Sequence, residues 1–222
     1  MIQHMIFDLD GTLFETERIA VPAFVDTFKK LRDEGLFDGE MPKEETFLRM
    51  FGLTLNDIWN KLLPSTDQQT KDIADRYMGQ FEKDYIDKGN GKLYDGVLET
   101  LNELRSRGIQ IFIASNGAKE YVDYVLEKMG IEQVITKAYS AGEYQTVSKV
   151  DLVAQLLKDN QLNPTDTWMI GDRSSDIEAG QKNHLRTVAC AYGFADQTEL
   201  AHANDFIHSF SELIPLLAKH NE

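Results

Sequence analysis

One cysteine in 222 residues, Cys190, has no partner for an intramolecular disulfide. It lies in the apolar run Val188-Ala189-Cys190-Ala191 and so reads as a buried structural thiol rather than a nucleophile. No stretch approaches the roughly 18 apolar residues of a membrane span. The N-terminal MIQHMIFDLDGT has neither the basic n-region nor the long apolar run of a signal peptide. A cytoplasmic location is therefore expected. Basic residues are scarce, with 23 Lys and Arg against 37 Asp and Glu and a net charge of -14. Such a surface repels nucleic acid and anionic membrane, so neither is expected as a partner. A small anion can still bind where cations or backbone N–H groups reverse that field locally. The histidines, His4, His184, His202, His208 and His220, have no metal-ligand spacing. Internal repeats and low-complexity segments are absent.

What is present suits one core carrying a smaller accessory domain, since hydrophobic residues make up 42% and charged residues 27%. Helical periodicity marks three segments after residue 15: Ile19 to Leu31, Phe47 to Leu62, and Ile73-Tyr77-Phe81-Tyr85. From Tyr94 the pattern changes to short apolar runs alternating with helices. Ile109–Ala114, Val134–Ala138, Thr167–Ile170, Thr187–Ala191 and Phe206-Ile207 read as strands. Val97–Arg107, Lys119–Met129, Lys149–Asp159 and Ile177–Lys182 read as helices, and Ser148-Lys149-Val150-Asp151 fits a capping box. The alternation predicts a parallel sheet covered on both faces. The first apolar run, Met5-Ile6-Phe7, needs a sheet and finds one only among the later strands. The expected organisation is an α/β core of residues 1–14 and 90–222, with residues 15–89 as an inserted small helical cap.

Ligands of open parallel sheets bind beyond the carboxyl ends of the strands. The residues directly after each apolar run are Asp8-Leu9-Asp10-Gly11-Thr12, then Ser115-Asn116-Gly117, then Gly171-Asp172-Arg173-Ser174-Ser175-Asp176. Lys149 opens a helix between the second and third. Four carboxylates, a hydroxyl and a lysine converge on one edge. Clustered carboxylates are costly unless a cation neutralises them. Mg²⁺ is the natural choice, because it takes oxygen ligands, keeps waters and bridges to phosphate. Gly11 gives the chain freedom to turn at once and bring backbone close to the ligand.

An apolar run followed by Asp8-Leu9-Asp10-Gly11-Thr12-Leu13 resembles the haloacid dehalogenase superfamily, and Ser115, Lys149 and Gly171 to Asp176 supply its other three motifs in order. The resemblance covers essentially the whole chain. It implies a Rossmann-like doubly wound core with a helical cap after the first motif, and a Mg²⁺-dependent phosphatase acting on a small phosphorylated metabolite. It assigns Asp8 as the nucleophile forming an aspartyl-phosphate and Asp10 as the general acid/base. Gly11, Thr12, Ser115, Asn116 and Lys149 are placed around the phosphoryl group. Asp8, the Asp10 carbonyl and Asp172 are placed on the metal, with Asp176 bound to it directly or through water. Arg49 and Gly52 resemble the cap loop that selects substrate, with Arg49 either a substrate contact or a solvated helix cation. Dehalogenases lack an acid at the position of Asp10, because a halide leaves without a proton, so ester cleavage is expected.

Tyr94-Asp95-Gly96-Val97 resembles the phosphoglycolate-phosphatase-like group, although Asp95 stands where proline is common and Glu15 where aspartate is usual. A sugar-phosphate mutase of the same fold is the alternative. It should carry adjacent acids after Ile170, where this chain has Gly171-Asp172-Arg173. A non-catalytic phosphate-binding protein should have lost a catalytic residue, and none is missing.

Overall fold

The structure, a computed structural model, describes residues 1–196 and 198–221. It divides into two compact units, one of Met1–Glu15 with Leu93–Glu222, the other of Thr16–Lys92.

The smaller unit is helical: α1 (Glu17–Asp33), α2 (Glu44–Leu48), α3 (Leu55–Leu62) and α4 (Gln68–Asp87). Its core is aromatic. Phe24 stacks on Phe47 at 4.5 Å between ring centroids, and Phe47 meets Phe51 edge-on at 5.0 Å. The single periodic run from Phe47 to Leu62 is two helices, not one. Thr54 ends the break by accepting the Asp57 N–H at 3.3 Å, so a helix start interrupts the apolar spacing.

In the larger unit, six parallel strands form one sheet: β1 (His4–Phe7), β2 (Gln110–Ser115), β3 (Lys137–Ser140), β4 (Thr167–Gly171), β5 (Arg186–Cys190) and β6 (Asp205–Ile207). Their order is β3-β2-β1-β4-β5-β6, the doubly wound Rossmann arrangement. Flanking helices are α5 (Val97–Ser106), α6 (Lys119–Lys128), α7 (Ala141–Tyr144), α8 (Lys149–Asp159), α9 (Ser174–Lys182) and α10 (Leu213–Asn221). Among the described residues, no helix is long and apolar enough to cross a membrane.

Strand period sorts the side chains between the two faces of the sheet, and strand order sets which helices cover each. Ile6 is in register with Phe112 on β2 and Met169 on β4, and this row packs with Leu152, Val153 and Leu156 of α8 and Ala179 of α9. Phe7 points the other way and meets Phe210 at 5.6 Å. Cys190 is buried at the end of β5, where loss of solvent pushes its thiol well up.

Two elements differ from their sequence pattern. β3 begins at Lys137, because Val134 belongs to a 3-10 turn and the residues that enter the core are Tyr139 and Ser140. α9 begins at Ser174, three residues before its first apolar position, because its N-terminus is held by polar groups: Asp176 Oδ2 accepts the Arg173 N–H at 2.9 Å.

Candidate active site at the carboxyl ends of the central strands

β1 lies between β2 and β4, so the segments after these three strands emerge side by side, at the point where strand order reverses. The ladder continues one step past β1, with the Asp8 N–H donating to the Ile170 carbonyl at 2.9 Å. Period two then sets Asp8 on the face of Ile6, the face that α8 and α9 cover. That places the first residue of α8 against it: Lys149 Nζ is 2.8 Å from Asp8 Oδ1 and 2.6 Å from Asp176 Oδ1. The Leu9 N–H also donates to Asp8 Oδ1, at 2.8 Å, so two bonds on one oxygen fix the carboxylate's rotation. Ser148 starts α8 by accepting the Asp151 N–H at 3.1 Å, which sets where Lys149 leaves the helix.

Asp8, Asp172 and Asp176 are buried, and each offers a carboxylate oxygen within 4.8 Å of the others. Three carboxylates facing one ammonium leave two negative charges in excess when all are ionised. The consequences follow from burial and like charge. Asp8 is raised well above the ordinary carboxylate range by loss of solvent and then by Asp176, against the pull of Lys149. Asp172 is pushed up to about 7 by burial and by Asp176. Burial disfavours the Lys149 ammonium, but Asp176 and Asp8 outweigh it, and the group is pushed up and stays charged. A divalent cation matches the excess charge and the all-oxygen donor set, so the residues fit the metal that the sequence pattern implies.

Asp172 is held on both oxygens. The Thr12 hydroxyl donates to Oδ1 at 3.1 Å, and the Phe194 N–H donates to Oδ2 at 2.8 Å. Gly11 has φ +78, and its N–H donates to the Phe14 carbonyl at 3.0 Å, which closes the tight turn after β1. A side chain at position 11 would collide with Asp172 and the Phe194 ring. Ser115, buried at the end of β2, accepts the Gly117 N–H on its hydroxyl at 3.0 Å. Asn116 follows it in the same turn. The Asp10 carboxylate is not one of that group, though its charge adds to those raising Asp8, and it accepts from the Tyr121 hydroxyl at 2.6 Å. Arg49 is an exposed residue at the end of α2 in the helical unit.

Sequence reasoning passed over the loop after β5. The Tyr192 hydroxyl donates to the Thr12 carbonyl at 2.8 Å, and Phe194 holds Asp172, so one loop ties the turn after β1 to the turn after β4. Inspecting the residues after the Thr187–Ala191 run would have found it. Glu199 was also missed; its Oε1 accepts the Ser174 N–H at 3.0 Å and pairs with Arg173 Nε at 3.0 Å, which braces the start of α9. No local pattern marks that residue.

Gly193 lets this loop approach, since a Cβ there would land on Asp172. Gly193→Ala is therefore expected to displace Phe194 and weaken divalent-cation affinity by about 10- to 100-fold. Calorimetric titration with Mg²⁺ and Mn²⁺ checks this; wild-type affinity would mean the loop does not position Asp172.

Acids at the heads of adjacent parallel strands, with a buried lysine between them, define the class. The haloacid dehalogenase-like hydrolase family matches residues 5–190, and the chain belongs to that family and is a hydrolase. Among individual proteins, a pyrophosphatase PpaX of Oceanobacillus iheyensis is 28% identical over 97% of this chain and 97% of its own. A predicted phosphatase from Clostridium acetobutylicum superimposes with a TM-score of 0.83 at 23% identity, covering 99% of each chain. A beta-phosphoglucomutase from Clostridium difficile does so with a TM-score of 0.78 at 20% identity, covering 100% of this chain and 98% of its own. The shared fold thus does not by itself separate phosphatase from mutase.

Proposed function

We propose that this hydrolase is a Mg²⁺-dependent phosphatase that cleaves a small phosphorylated metabolite through an aspartyl-phosphate on Asp8. The observation that carries the reading is the buried cluster of Asp8, Asp172 and Asp176 around Lys149, with its excess negative charge. Asp8 attacks phosphorus and the bond to the leaving oxygen breaks, while Asp10 passes a proton to that oxygen. Asp10 then takes a proton from water, which attacks the phosphorus, frees phosphate and regenerates the Asp8 carboxylate. Ser115, Asn116 and the Gly11-Thr12 turn bound the phosphoryl group, and Lys149 offsets its charge. Asp8, the Asp10 carbonyl and Asp172 would hold Mg²⁺, with Asp176 joining them directly or through water while it pairs with Lys149. The bound ion would neutralise charge on the phosphoryl oxygens. Arg49 is proposed to contact the leaving group.

Release of phosphate from a panel of phosphorylated metabolites, with Mg²⁺, Ca²⁺ or chelator, tests the reading. The relatives named pyrophosphatase put inorganic pyrophosphate in that panel beside phosphoglycolate, sugar phosphates and nucleotides. Turnover is expected with Mg²⁺ only, since Ca²⁺ takes more ligands and tends to grip both carboxylate oxygens. Full activity in chelator would overturn the metal assignment. A mutase would return the phosphoryl group to a sugar with no net phosphate release, and a binding protein would release none.

The metal should also leave a thermodynamic signature. With Asp172 raised to about 7, the folded protein holds a proton that an unfolded chain has released above its ordinary value near 3.8. That contribution to stability is fully present below the lower value and is lost as pH rises through about 7. A divalent cation substitutes for the proton, so Mg²⁺ should raise the melting temperature more at pH 8 than at pH 5. Thermal denaturation at both values checks this, and a larger Mg²⁺ shift at the lower pH would contradict it.

A further inference from the structure

The Asp10 carboxylate, proposed above as the acid/base, has a partner outside the Asp8, Asp172 and Asp176 group. The Tyr121 hydroxyl donates to Asp10 Oδ1 at 2.6 Å, between residues 111 positions apart. Tyr121 is in the first turn of α6, directly after the Ser115-Asn116-Gly117 turn. Its ring lies over Gly117, where a Cβ would stand 3.2 Å from the ring and 3.3 Å from Ser115 Oγ. The same turn is tied down on both sides. The Gly117 N–H donates to Ser115 Oγ at 3.0 Å, and the Gly117 carbonyl accepts the Gly142 N–H at 3.3 Å. A phenol has few rotors, so a ring packed this way holds its hydroxyl at low entropic cost. Short O–H···O⁻ bonds are among the stronger hydrogen bonds in proteins.

We propose that Tyr121 is a positioning residue for the general acid/base. It fixes the rotation of the Asp10 carboxyl relative to the turn carrying Ser115, so the proton-carrying group and the phosphoryl pocket are held in one frame. Tyr121 acts through Asp10 and not on substrate. The inference rests on the reading of Asp10 as the proton carrier.

Tyr121→Phe keeps the ring on Gly117 and removes only the hydroxyl. With Mg²⁺ present, kcat on an alkyl phosphate should fall roughly 10- to 100-fold, the scale of a small misplacement of a catalytic group, with KM unchanged. The burst of phenol from an activated aryl phosphate should keep its rate, because that leaving group needs no proton. Phosphoenzyme should then accumulate, visible as a phosphate adduct by intact mass. Tyr121→Phe added to Asp10→Asn should cost nothing further, since both changes remove one function. Wild-type kcat on the alkyl phosphate, an equal loss of the aryl burst, or a full multiplicative loss in the double variant would each overturn the assignment. If Asp10→Asn is impaired and Tyr121→Phe is not, this inference alone fails. If Asp10→Asn turns over normally, the acid/base reading fails and takes the inference with it.

Discussion

Asp8→Asn is expected to lose activity on every substrate by about 10⁴-fold or more, the scale on which removal of a nucleophile is felt. It should yield neither burst nor phosphate adduct. The amide is nearly isosteric, so the cause would be chemical. Stability should hold or rise, because Asp8 is raised well above its ordinary range and its ionisation therefore opposes folding. Asp10→Asn should fail differently. It keeps the backbone carbonyl and loses the proposed proton carrier, so an alkyl phosphate should stall at the first step. An aryl phosphate with an acidic phenol can leave unassisted, after which water lacks its base and phosphoenzyme builds up. Rapid-mix kinetics with intact-mass detection separates the two variants. A burst from Asp8→Asn would mean that the nucleophile is misassigned, and steady turnover by Asp10→Asn would remove its acid/base role.

Lys149→Met should give the largest combined effect on stability and rate. The ammonium is buried and pairs with Asp8 at 2.8 Å and with Asp176 at 2.6 Å. Methionine fills similar space without charge, and three buried carboxylates then face one another. Removing one partner of a buried pair costs about 3–5 kcal/mol when the remaining charge is left uncompensated. The cost should depend on pH in a defined sense. Asp172 is raised to about 7 and Asp8 is raised well above its usual range, so below neutrality protons take over part of the neutralising role. Metal-free Lys149→Met should therefore lose more stability at pH 8 than at pH 5, measured by denaturant unfolding at both values. Turnover should fall by about 10³-fold or more even with saturating Mg²⁺, as for loss of a preorganised charge at a reacting centre. Equal destabilisation at the two pH values would mean that the lysine's contribution is packing and not charge.

Fold class, and which residues emerge at the carboxyl ends of the strands, were legible in the chain because both depend on local pattern. Short apolar runs alternating with helices can bury themselves only as a covered parallel sheet, and ligands of such sheets meet the residues just past the strands. That logic reached Asp8, Ser115 and Asp172, and the capping box located Lys149 at the first turn of its helix. What lay beyond it was each partnership between elements. Period two says that Asp8 shares a face with Ile6, but not that α8 covers that face; strand order decides this. The Thr12 hydroxyl bonding Asp172 across 160 positions, the Tyr192 to Phe194 loop bracing both turns, and Tyr121 on Asp10 have no local signature. The start of α9 at Ser174 was hidden for a related reason, since polar contacts from Asp176 and Glu199 begin the helix before any apolar residue does. A sequence pattern reports the face an element must bury, whereas a hydrogen bond between distant loops exists only once the sheet has set those loops side by side.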